Sequence, residues 1–267
     1  MRTPTSTARS RHWDQVYDLK GAERVSWFQP EPTVSLALID ELHPRLSEPV
    51  VDVGAGASTL VDGLLHRGYT DLTVLDVSAH GLRLARQGLG ESADRVRWEL
   101  TDLLQWTPPR RFAVWHDRAV FHFLTDPADR VRYRELAAAA MSPGGHLVLG
   151  TFAADGPEQC SGLPVARYHP DQLAAEFGPG FIPVTSRREH HHTPTGAEQR
   201  FTWLVLRRAP GRPRSDGDDV DGEGATGCQR TGLAVAAGIG RGPQVGEDGQ
   251  EQEGQRGGGP IVGGKAG

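Results

Sequence analysis

Apolar residues recur along the chain with two alternating spacings, and the alternation predicts a succession of strands and helices. Short apolar runs at 50–53 and 72–78 are typical of buried strands. Residues 58–67 and 79–89 carry apolar side chains at helical spacing, and Ser58 is placed to cap the first of these two helices. The same spacing predicts an earlier helix over 32–46.

The second half of the domain repeats this alternation and then changes to strands alone. Further strands are expected at 95–100, 112–117 and 146–152, helices at 127–141 and 169–177, and a final alternating pair at 181–190 and 200–208. Alternating strands and helices favour a mainly parallel sheet covered on both faces. The pattern therefore predicts an α/β fold: a doubly wound, mainly parallel seven-stranded sheet with a closing antiparallel strand pair and helices on both faces.

Composition sets the expected limits of the folded domain. Residues 209–267 contain no aromatic side chain and are rich in glycine, acidic residues and glutamine. Such a segment buries too little apolar surface to offset its ordering entropy, which predicts a disordered Gly-rich tail. A frame-shifted or extended reading of a GC-rich gene is the alternative. With a flexible N-terminus over 1–11, the folded domain is expected at 12–208.

Net charge and cysteine content limit the binding partners and the cellular compartment that we expect for the protein. A net charge of -5 gives no indication of a broad nucleic-acid footprint or of binding to an anionic membrane. No apolar run approaches the length of a membrane span, and the basic first residues lack the apolar stretch of a secretory signal. They resemble a transit peptide only in composition, and a frayed terminus is favoured. Two cysteines fit a reducing compartment, so the cytoplasm is expected.

The first strand ends in a glycine turn that points to a nucleotide-like ligand. In "VVDVGAGAST" an acidic residue, Asp52, precedes Gly54 and Gly56. The pyrophosphate-binding pattern of dinucleotide enzymes wants Gly or Ala at position 59, where this chain has Thr59, and this argues against an NAD-dependent oxidoreductase. Asp76, which ends the second strand, is placed to accept hydrogen bonds from ribose hydroxyls.

These motifs together resemble the class I, seven-β-strand methyltransferases that use S-adenosylmethionine. The acidic-x-Gly-x-Gly motif is matched by Asp52, Gly54 and Gly56, with Ser58 in place of a third glycine. Asp76 matches the acidic residue of the second strand and Asp102 the one after the third strand, while Pro-Gly-Gly at 143–145 matches the turn before strand five. The resemblance covers about residues 12–208.

The resemblance implies S-adenosyl-L-methionine as cofactor and a set of residues that contact it. The glycine turn would border the methionine part, Asp76 would take the ribose, and Asp102 would face the adenine amino group. The alternative is that the glycines only make a tight turn and that Asp76 caps a helix. The implied cofactor contacts are Asp52, Gly54, Ala55, Gly56, Asp76, Val77, Thr101, Asp102 and Leu103.

The fourth strand is where this family usually places residues that face the acceptor. The segment "VWHDRAVFHFLTD" lacks the Asn/Asp-Pro-Pro-Tyr/Phe motif of enzymes that methylate nucleic-acid bases or glutamine. His116 and Asp117 are predicted as catalytic residues that face the transferring methyl group, with Arg118 orienting the substrate. The alternative is an ion pair between Asp117 and Arg118, with His122 as a packed core histidine.

Two further segments are expected near the acceptor. The leader 12–29 carries Trp13 and Trp27 and is expected either to cover the cofactor as a lid or to cap the sheet; it looks like the leader of a subgroup that includes protein lysine methyltransferases. Cys160, in a long insert after strand five, is a candidate substrate-side thiol, although an inert buried cysteine is commoner. His190, His191 and His192 alternate in direction, which favours a hairpin end over a metal site.

The predicted function is in-line transfer of a methyl group from S-adenosylmethionine to a small-molecule or protein amine acceptor. No metal, nucleic acid or membrane is expected to take part. The alternatives are an NAD-dependent oxidoreductase and a catalytically silent nucleoside-binding protein with the same fold. The acceptor and the oligomeric state stay open at this point.

Overall fold

The computed structural model describes residues 5–210, in which seven long strands form one sheet and two short strands form a separate hairpin. Parallel strands come first along the chain, and the last two long strands run antiparallel. The strands are β1 (Val50–Val53), β2 (Leu72–Asp76), β3 (Val96–Leu100), β4 (Phe112–Arg118), β5 (Met141–Phe152), β6 (Gln159–Cys160), β7 (Leu163–Pro164), β8 (Phe181–His192) and β9 (Glu198–Arg208).

Six α-helices cover the two faces of this sheet. Apolar residues of the second, third and fourth helices pack on one face, and those of the fifth and sixth pack on the other. The helices are α1 (Ser6–Lys20), α2 (Thr33–Glu41), α3 (Leu60–His66), α4 (Ala79–Leu89), α5 (Pro127–Ala140) and α6 (Pro170–Phe177).

The strand order of the sheet is β3-β2-β1-β4-β5-β9-β8, so the chain reverses direction across the sheet between β1 and β4. Ligands of open α/β sheets bind in the crevice that such a reversal creates at the carboxyl ends of the strands. The predicted fold class is confirmed, including the antiparallel pair that closes the sheet.

Several predicted element boundaries shift for local reasons. The helix expected over 32–46 ends at Glu41, because His43 has a positive φ of 49° and precedes Pro44, and neither feature continues a helix. Helix α3 begins at Leu60 rather than at residue 58, and the Ser58 hydroxyl accepts a hydrogen bond from the Leu60 amide at 3.1 Å. Strand β5 already begins at Met141 and includes the Pro-Gly-Gly turn as an irregularity in its pairing with β4.

The predicted flexible N-terminus over 1–11 is wrong in the part that the structure describes. Helix α1 begins at Ser6, where the Thr5 side chain caps it by accepting a hydrogen bond from the Ala8 amide. The predicted Gly-rich tail, 209–267, lies outside the described residues except for its first two. No helix among residues 5–210 is long and apolar enough to cross a membrane.

The period-two alternation of strand residues divides the core between the two faces. On β1, Val51 and Val53 pack with α5, whereas Val50 packs with α2 and α3. On β4, Trp115 lies on the α5 face and Val114 on the opposite one. Neighbouring residues at the end of a strand therefore face different surroundings.

Candidate functional site

A cavity lies at the carboxyl ends of β1 to β4, and it receives residues from the loop after each of these strands. Helix α1 and the segment that follows it complete the wall. The lining residues are Arg9, Trp13, Tyr17, Trp27, Gly54, Leu75, Asp76, Val77, Thr101, Asp102, Leu103, Leu104, Arg118, Ala119, Val120, Phe123, Leu124 and Cys160. We call this space the first cavity.

The glycine turn after β1 has a shape that only glycine fits. Gly54 and Gly56 have φ angles of 64° and 53°, a region that L side chains rarely adopt. A Cβ atom on Gly54 would come within 2.0 Å of the Val120 Cγ2 atom, and one on Gly56 within 1.9 Å of the Tyr17 hydroxyl oxygen. Gly54 therefore brings bare backbone up to the first cavity, whereas Gly56 packs against Tyr17 and lines neither cavity.

Asp76 joins this turn to the end of β2. Its carboxylate accepts hydrogen bonds from the Gly56 amide and the Ser78 amide, both at 2.7 Å. Burial raises the pKa of Asp76 to about 6. Each carboxylate oxygen can accept more than one hydrogen bond, so Asp76 keeps acceptor capacity on the side that lines the first cavity.

Asp102, after β3, meets a residue that the sequence did not single out. Its Oδ2 atom forms an ion pair with Arg9 of α1 at 2.6 Å, and its Oδ1 atom accepts a hydrogen bond from the Leu104 amide at 3.0 Å. The expected adenine-facing carboxylate therefore also holds helix α1 over the first cavity.

Helix α1 is attached to the sheet at two further points. Asp14 accepts hydrogen bonds from the Ser78 hydroxyl at 2.7 Å and from the His80 amide at 3.0 Å, which places a carboxylate at the N-terminus of α4. The Tyr17 hydroxyl oxygen accepts a hydrogen bond from the Ala57 amide at 3.3 Å. These contacts arrange α1 as a cover of the first cavity, in agreement with the lid interpretation of the leader.

Aromatic side chains of the leader form the roof. The Trp13 ring meets the rings of Trp27 and Phe123 edge to face, with centroids 5.6 and 5.1 Å away, and the Tyr17 ring meets Trp27 in the same manner. The structure thus brings the predicted substrate-side residues Trp13 and Trp27 together at the first cavity.

A second, smaller cavity adjoins the first and shares Trp27, Gly54 and Arg118 with it. Its base is a buried polar chain in which His116 contacts Asp52 at 2.7 Å through Nδ1 and the Ser35 hydroxyl at 3.0 Å through Nε2. The pairing follows from strand register, because Asp52 of β1 lies opposite His116 of β4. Asp52 and Ala55, expected at the cofactor, line this second cavity.

The prediction that His116 and Asp117 face the same transferring group is wrong. His116 lies on the second cavity with both ring nitrogens engaged, and Asp117 points to the opposite face of the sheet. Successive strand residues alternate in direction, so the two side chains cannot share one site.

Asp117 is fully buried and organises the turn after β4. Its carboxylate accepts hydrogen bonds from the Val120 amide at 3.0 Å, the Phe121 amide at 3.4 Å and the Tyr133 hydroxyl at 2.7 Å. Burial raises its pKa to about 6. The side chain lines neither cavity, which makes it a structural residue of the strand end.

Arg118 lies where the two cavities meet. Its Nη1 atom donates to the Trp27 carbonyl oxygen at 2.9 Å, so the suggested ion pair with Asp117 does not form. Burial, and then the nearby charge of Arg118, lower the pKa of His122 to about 3. His122 is fully buried, in agreement with its interpretation as a core histidine.

The insert after β5 brings Cys160 to the wall of the first cavity through the hairpin of β6 and β7. Burial raises the pKa of this thiol, which keeps it neutral. The three histidines from His190 to His192 end β8, and the Nε2 atom of His191 donates a hydrogen bond to the Ser26 carbonyl oxygen at 2.8 Å. They form a hairpin end, as the alternation predicted.

Sequence reasoning missed Arg9, Asp14 and Ser35. Arg9 and Asp14 fell in or beside the segment assumed to be flexible, and their helix has too little apolar periodicity to be recognised from its sequence. Ser35 gave a weak signal, since it is a polar residue in the predominantly apolar helix α2, where it is buried with Leu36 and Ile39.

Comparison with known sequences identifies proteins to which this chain is similar. Residues 50–145 match the model of a protein family described as a methyltransferase domain. A trans-aconitate 2-methyltransferase of Sinorhizobium medicae is 28% identical over 160 residues, which is 60% of this chain and 58% of that protein. The chain thus spans less than two thirds of the length of the curated relatives it matches.

Solved structures share the fold. A 1,6-didemethyltoxoflavin-N1-methyltransferase of Burkholderia thailandensis, solved with its substrate and S-adenosylhomocysteine, aligns with a TM-score of 0.57 and 20% identity, over 78% of this chain and 92% of that one. The N-methyltransferase NodS of Bradyrhizobium japonicum, in complex with S-adenosylhomocysteine, aligns with a TM-score of 0.54 and 18% identity, over 74% and 98% of the two chains.

Proposed function

We propose, from the premise that the chain belongs to the class I, seven-strand S-adenosylmethionine-dependent methyltransferases, that it methylates a small-molecule acceptor. The observation that supports this proposal most strongly is the order of the predicted cofactor-binding residues along the first cavity. The glycine turn, Asp76 and Asp102 follow adjacent strands β1, β2 and β3 and line one continuous wall.

The residues of the first cavity fit this cofactor. Gly54 presents bare backbone to the cavity, which suits close approach of the methionine part, and Val120 and Tyr17 occupy the positions that Cβ atoms on Gly54 and Gly56 would need. Asp76 keeps acceptor capacity for the ribose hydroxyls. Asp102, Val77 and Leu103 lie at the adenine end, where a carboxylate and apolar side chains suit the amino group and the faces of the ring.

The cofactor supplies an already activated methyl group on a sulfonium sulfur. What the chain contributes is alignment and exclusion of water, and these effects alone are known to give large rate accelerations. Trp13, Trp27 and Phe123 form an apolar part of the cavity wall. Their ring faces and edges suit a site that keeps a cationic centre away from solvent.

The acceptor end offers little acid–base chemistry. Burial raises the pKa values of Tyr17 and Cys160, and Arg118 is a permanent cation. Asp76 is engaged at the ribose end. This chemistry favours an acceptor that is nucleophilic at neutral pH without losing a proton to the protein, such as a carboxylate or an unprotonated amine.

A small molecule is favoured over a protein because the first cavity is covered by α1 and by the aromatic roof. The named substrates of the relatives, trans-aconitate and 1,6-didemethyltoxoflavin, are also small molecules.

We also propose the cytoplasm as the compartment of this protein, because Cys160 is a free thiol. Cell fractionation tests this assignment.

The test uses the full chain with S-adenosylmethionine labelled in the methyl group. It is incubated separately with a metabolite extract and with extract protein, and transferred label is separated by size. Label in the small-molecule fraction, absent with an Asp76→Ala variant, is the expected result. Binding of S-adenosylhomocysteine without transfer to either fraction would indicate a silent binding protein, and label only in protein would refute the small-molecule acceptor.

A further inference from the structure

Arg118 is a buried cation whose hydrogen-bonding capacity is only partly used. Its Nη1 atom donates to the Trp27 carbonyl oxygen at 2.9 Å, and its guanidinium carbon lies 4.6 Å from the centroid of the Phe201 ring. The Nε and Nη2 atoms are buried and have no hydrogen-bond partner among the described residues. The side chain is thus held in place while two of its donor atoms remain available.

The carboxylates near Arg118 are engaged elsewhere. Glu189 accepts hydrogen bonds from the Gln29 amide and the Trp203 indole, both at 2.7 Å. Asp52 contacts His116 at 2.7 Å through Oδ1, while its Oδ2 atom is buried without a hydrogen-bond partner among the described residues and does not pair with Arg118. Within residues 5–210, no carboxylate forms an ion pair with Arg118. A buried charge without a partner is costly, and burial lowers the pKa of this guanidinium, so the local structure favours an anion that is not part of the chain.

The position of Arg118 assigns that anion to one end of the site. Along the sheet the order is Asp102 after β3, Asp76 after β2, Gly54 after β1 and Arg118 at the end of β4. Arg118 therefore lies at the opposite end of the first cavity from the adenine-facing carboxylate, one strand beyond the glycine turn. The lining of the first cavity also includes Phe123 and Cys160, and its two acidic residues, Asp76 and Asp102, follow the more distant strands β2 and β3.

We propose that Arg118 binds a carboxylate of the methyl acceptor and thereby selects acidic small molecules as substrates. This inference rests on the proposed function. A guanidinium matches a carboxylate with two parallel N–H donors, and Nε together with Nη2 forms such a pair of donors. The binding of an acid by Arg118 also agrees with a transfer that needs no proton acceptor, because an ionised carboxylate is already nucleophilic.

A carboxylate also occurs in the methionine part of the cofactor, so the experiment separates the two sources. Isothermal titration of the full chain measures affinity for S-adenosylhomocysteine and for 5′-methylthioadenosine, which lacks the amino-acid part. The chain saturated with S-adenosylhomocysteine is then titrated with a panel of mono-, di- and tricarboxylates, including trans-aconitate, and with their neutral methyl esters. Wild type is compared with Arg118→Gln, which retains a donor for the Trp27 carbonyl, and with Arg118→Lys, which retains charge without the paired donors.

The expected result is that the loaded wild type binds at least one acid and not its ester. Arg118→Gln is expected to weaken that binding at least tenfold and Arg118→Lys to restore only part of it, while affinity for S-adenosylhomocysteine stays within threefold. Melting temperatures of both variants check that the fold is retained. If one variant does not fold, the other variant is compared with wild type.

Three results would overturn the inference. One is a loss of S-adenosylhomocysteine affinity in Arg118→Gln with 5′-methylthioadenosine binding unchanged, which would assign Arg118 to the cofactor. Another is equal binding of acids by variant and wild type, and the third is binding of no acid by the loaded wild type. If S-adenosylhomocysteine itself does not bind to wild type, the proposed function fails instead.

Discussion

The two ends of the first cavity are built from the same fold but differ in how their polar residues are used. At the end formed by β2 and β3, Asp76 and Asp102 line the cavity and keep the positions expected of them. At the end formed by β4, the side chains of His116 and Asp117 form hydrogen bonds within the protein. Of these three neighbouring residues, only Arg118 lines the first cavity. A polar residue at a strand end is therefore a candidate site residue only if the local structure directs its side chain into the cavity.

The difference arises from strand alternation and register. Asp76 is the last residue of β2, where the chain turns and backbone amides of the next loop hold the carboxylate at the cavity. His116 and Asp117 still lie within β4, which continues to Arg118, so the sheet directs them to opposite faces.

The largest effect is expected for Asp117→Ala, on stability. The variant leaves the Tyr133 hydroxyl and the Val120 and Phe121 amides without their acceptor. Each unsatisfied buried donor costs about 1–3 kcal/mol, so we expect the free energy of unfolding to fall by several kcal/mol. Chemical denaturation measures this loss.

The conservative variant Asp117→Asn is the control, because it keeps one acceptor oxygen of the same size and should recover part of the lost stability. Folded Asp117→Asn should bind S-adenosylhomocysteine like wild type. A variant with native stability and impaired turnover would return Asp117 to the catalytic role.

The next effect is expected for Gly54→Ala, on cofactor affinity. Its φ of 64° strains any other residue, and the new methyl group would collide with Val120. Such strain costs roughly 1–3 kcal/mol, and we expect the turn to shift to relieve it, which should lower the affinity for S-adenosylhomocysteine about tenfold or more. Gly88→Ala is the matched control, since Gly88 lies within α4 with nothing within 4 Å of its Cβ position. Equal affinity in both variants would mean that the turn does not contact the cofactor.

A third effect concerns the ionisation of Asp76. Its pKa of about 6 in the folded protein lies above the ordinary value of 3.8, so the folded protein keeps a proton that the unfolded chain releases between these values. The free energy of unfolding should therefore decrease as pH rises through about 6. Ribose hydroxyls donate stronger hydrogen bonds to an ionised carboxylate than to a protonated one, so affinity for S-adenosylhomocysteine should increase over the same range. Calorimetry and denaturation at a series of pH values measure both quantities.

Asp76→Asn separates the two contributions to this pH dependence. Asp117 also has a pKa of about 6, so stability should keep part of its pH dependence in the variant. Cofactor affinity should lose the dependence, because Asp117 does not line the cavity. An unchanged pH profile of affinity would contradict the role of Asp76.

The smallest effect is expected for Arg9→Ala, on the cover of the cavity. The ion pair with Asp102 is partly exposed, and pairs of this kind contribute little to equilibrium stability. We expect S-adenosylhomocysteine to associate and dissociate faster, with affinity changed less than about fivefold, in line with the weak energetics of such pairs. Stopped-flow measurements detect this, and Arg11→Ala on the same helix is the control; identical rates in both variants would remove Arg9 from the lid.

The sequence predicted the sheet, the glycine turn and the acidic residues at the ends of β2 and β3, because each depends on local patterns. Gly54, Gly56 and Asp76 follow short apolar runs that define their strands without reference to distant residues. The side-chain contacts at the end of β4 could not be predicted from local patterns. The partner of His116 lies 64 residues away on β1, and Tyr133 approaches Asp117 from α5. Alternation alone would have separated His116 from Asp117.

The central claim is that the first cavity holds the adenosine and methionine parts of S-adenosylmethionine through the glycine turn and Asp76. Its most direct test is calorimetric titration of the full chain with S-adenosylhomocysteine and with NAD, for wild type and Asp76→Ala. We expect S-adenosylhomocysteine to bind wild type with one site and NAD not to bind. Loss of the charged acceptor, worth about 1.5–3 kcal/mol, should weaken binding to Asp76→Ala tenfold or more. Binding of NAD in preference to S-adenosylhomocysteine, or equal affinity of the two proteins for S-adenosylhomocysteine, would contradict the claim.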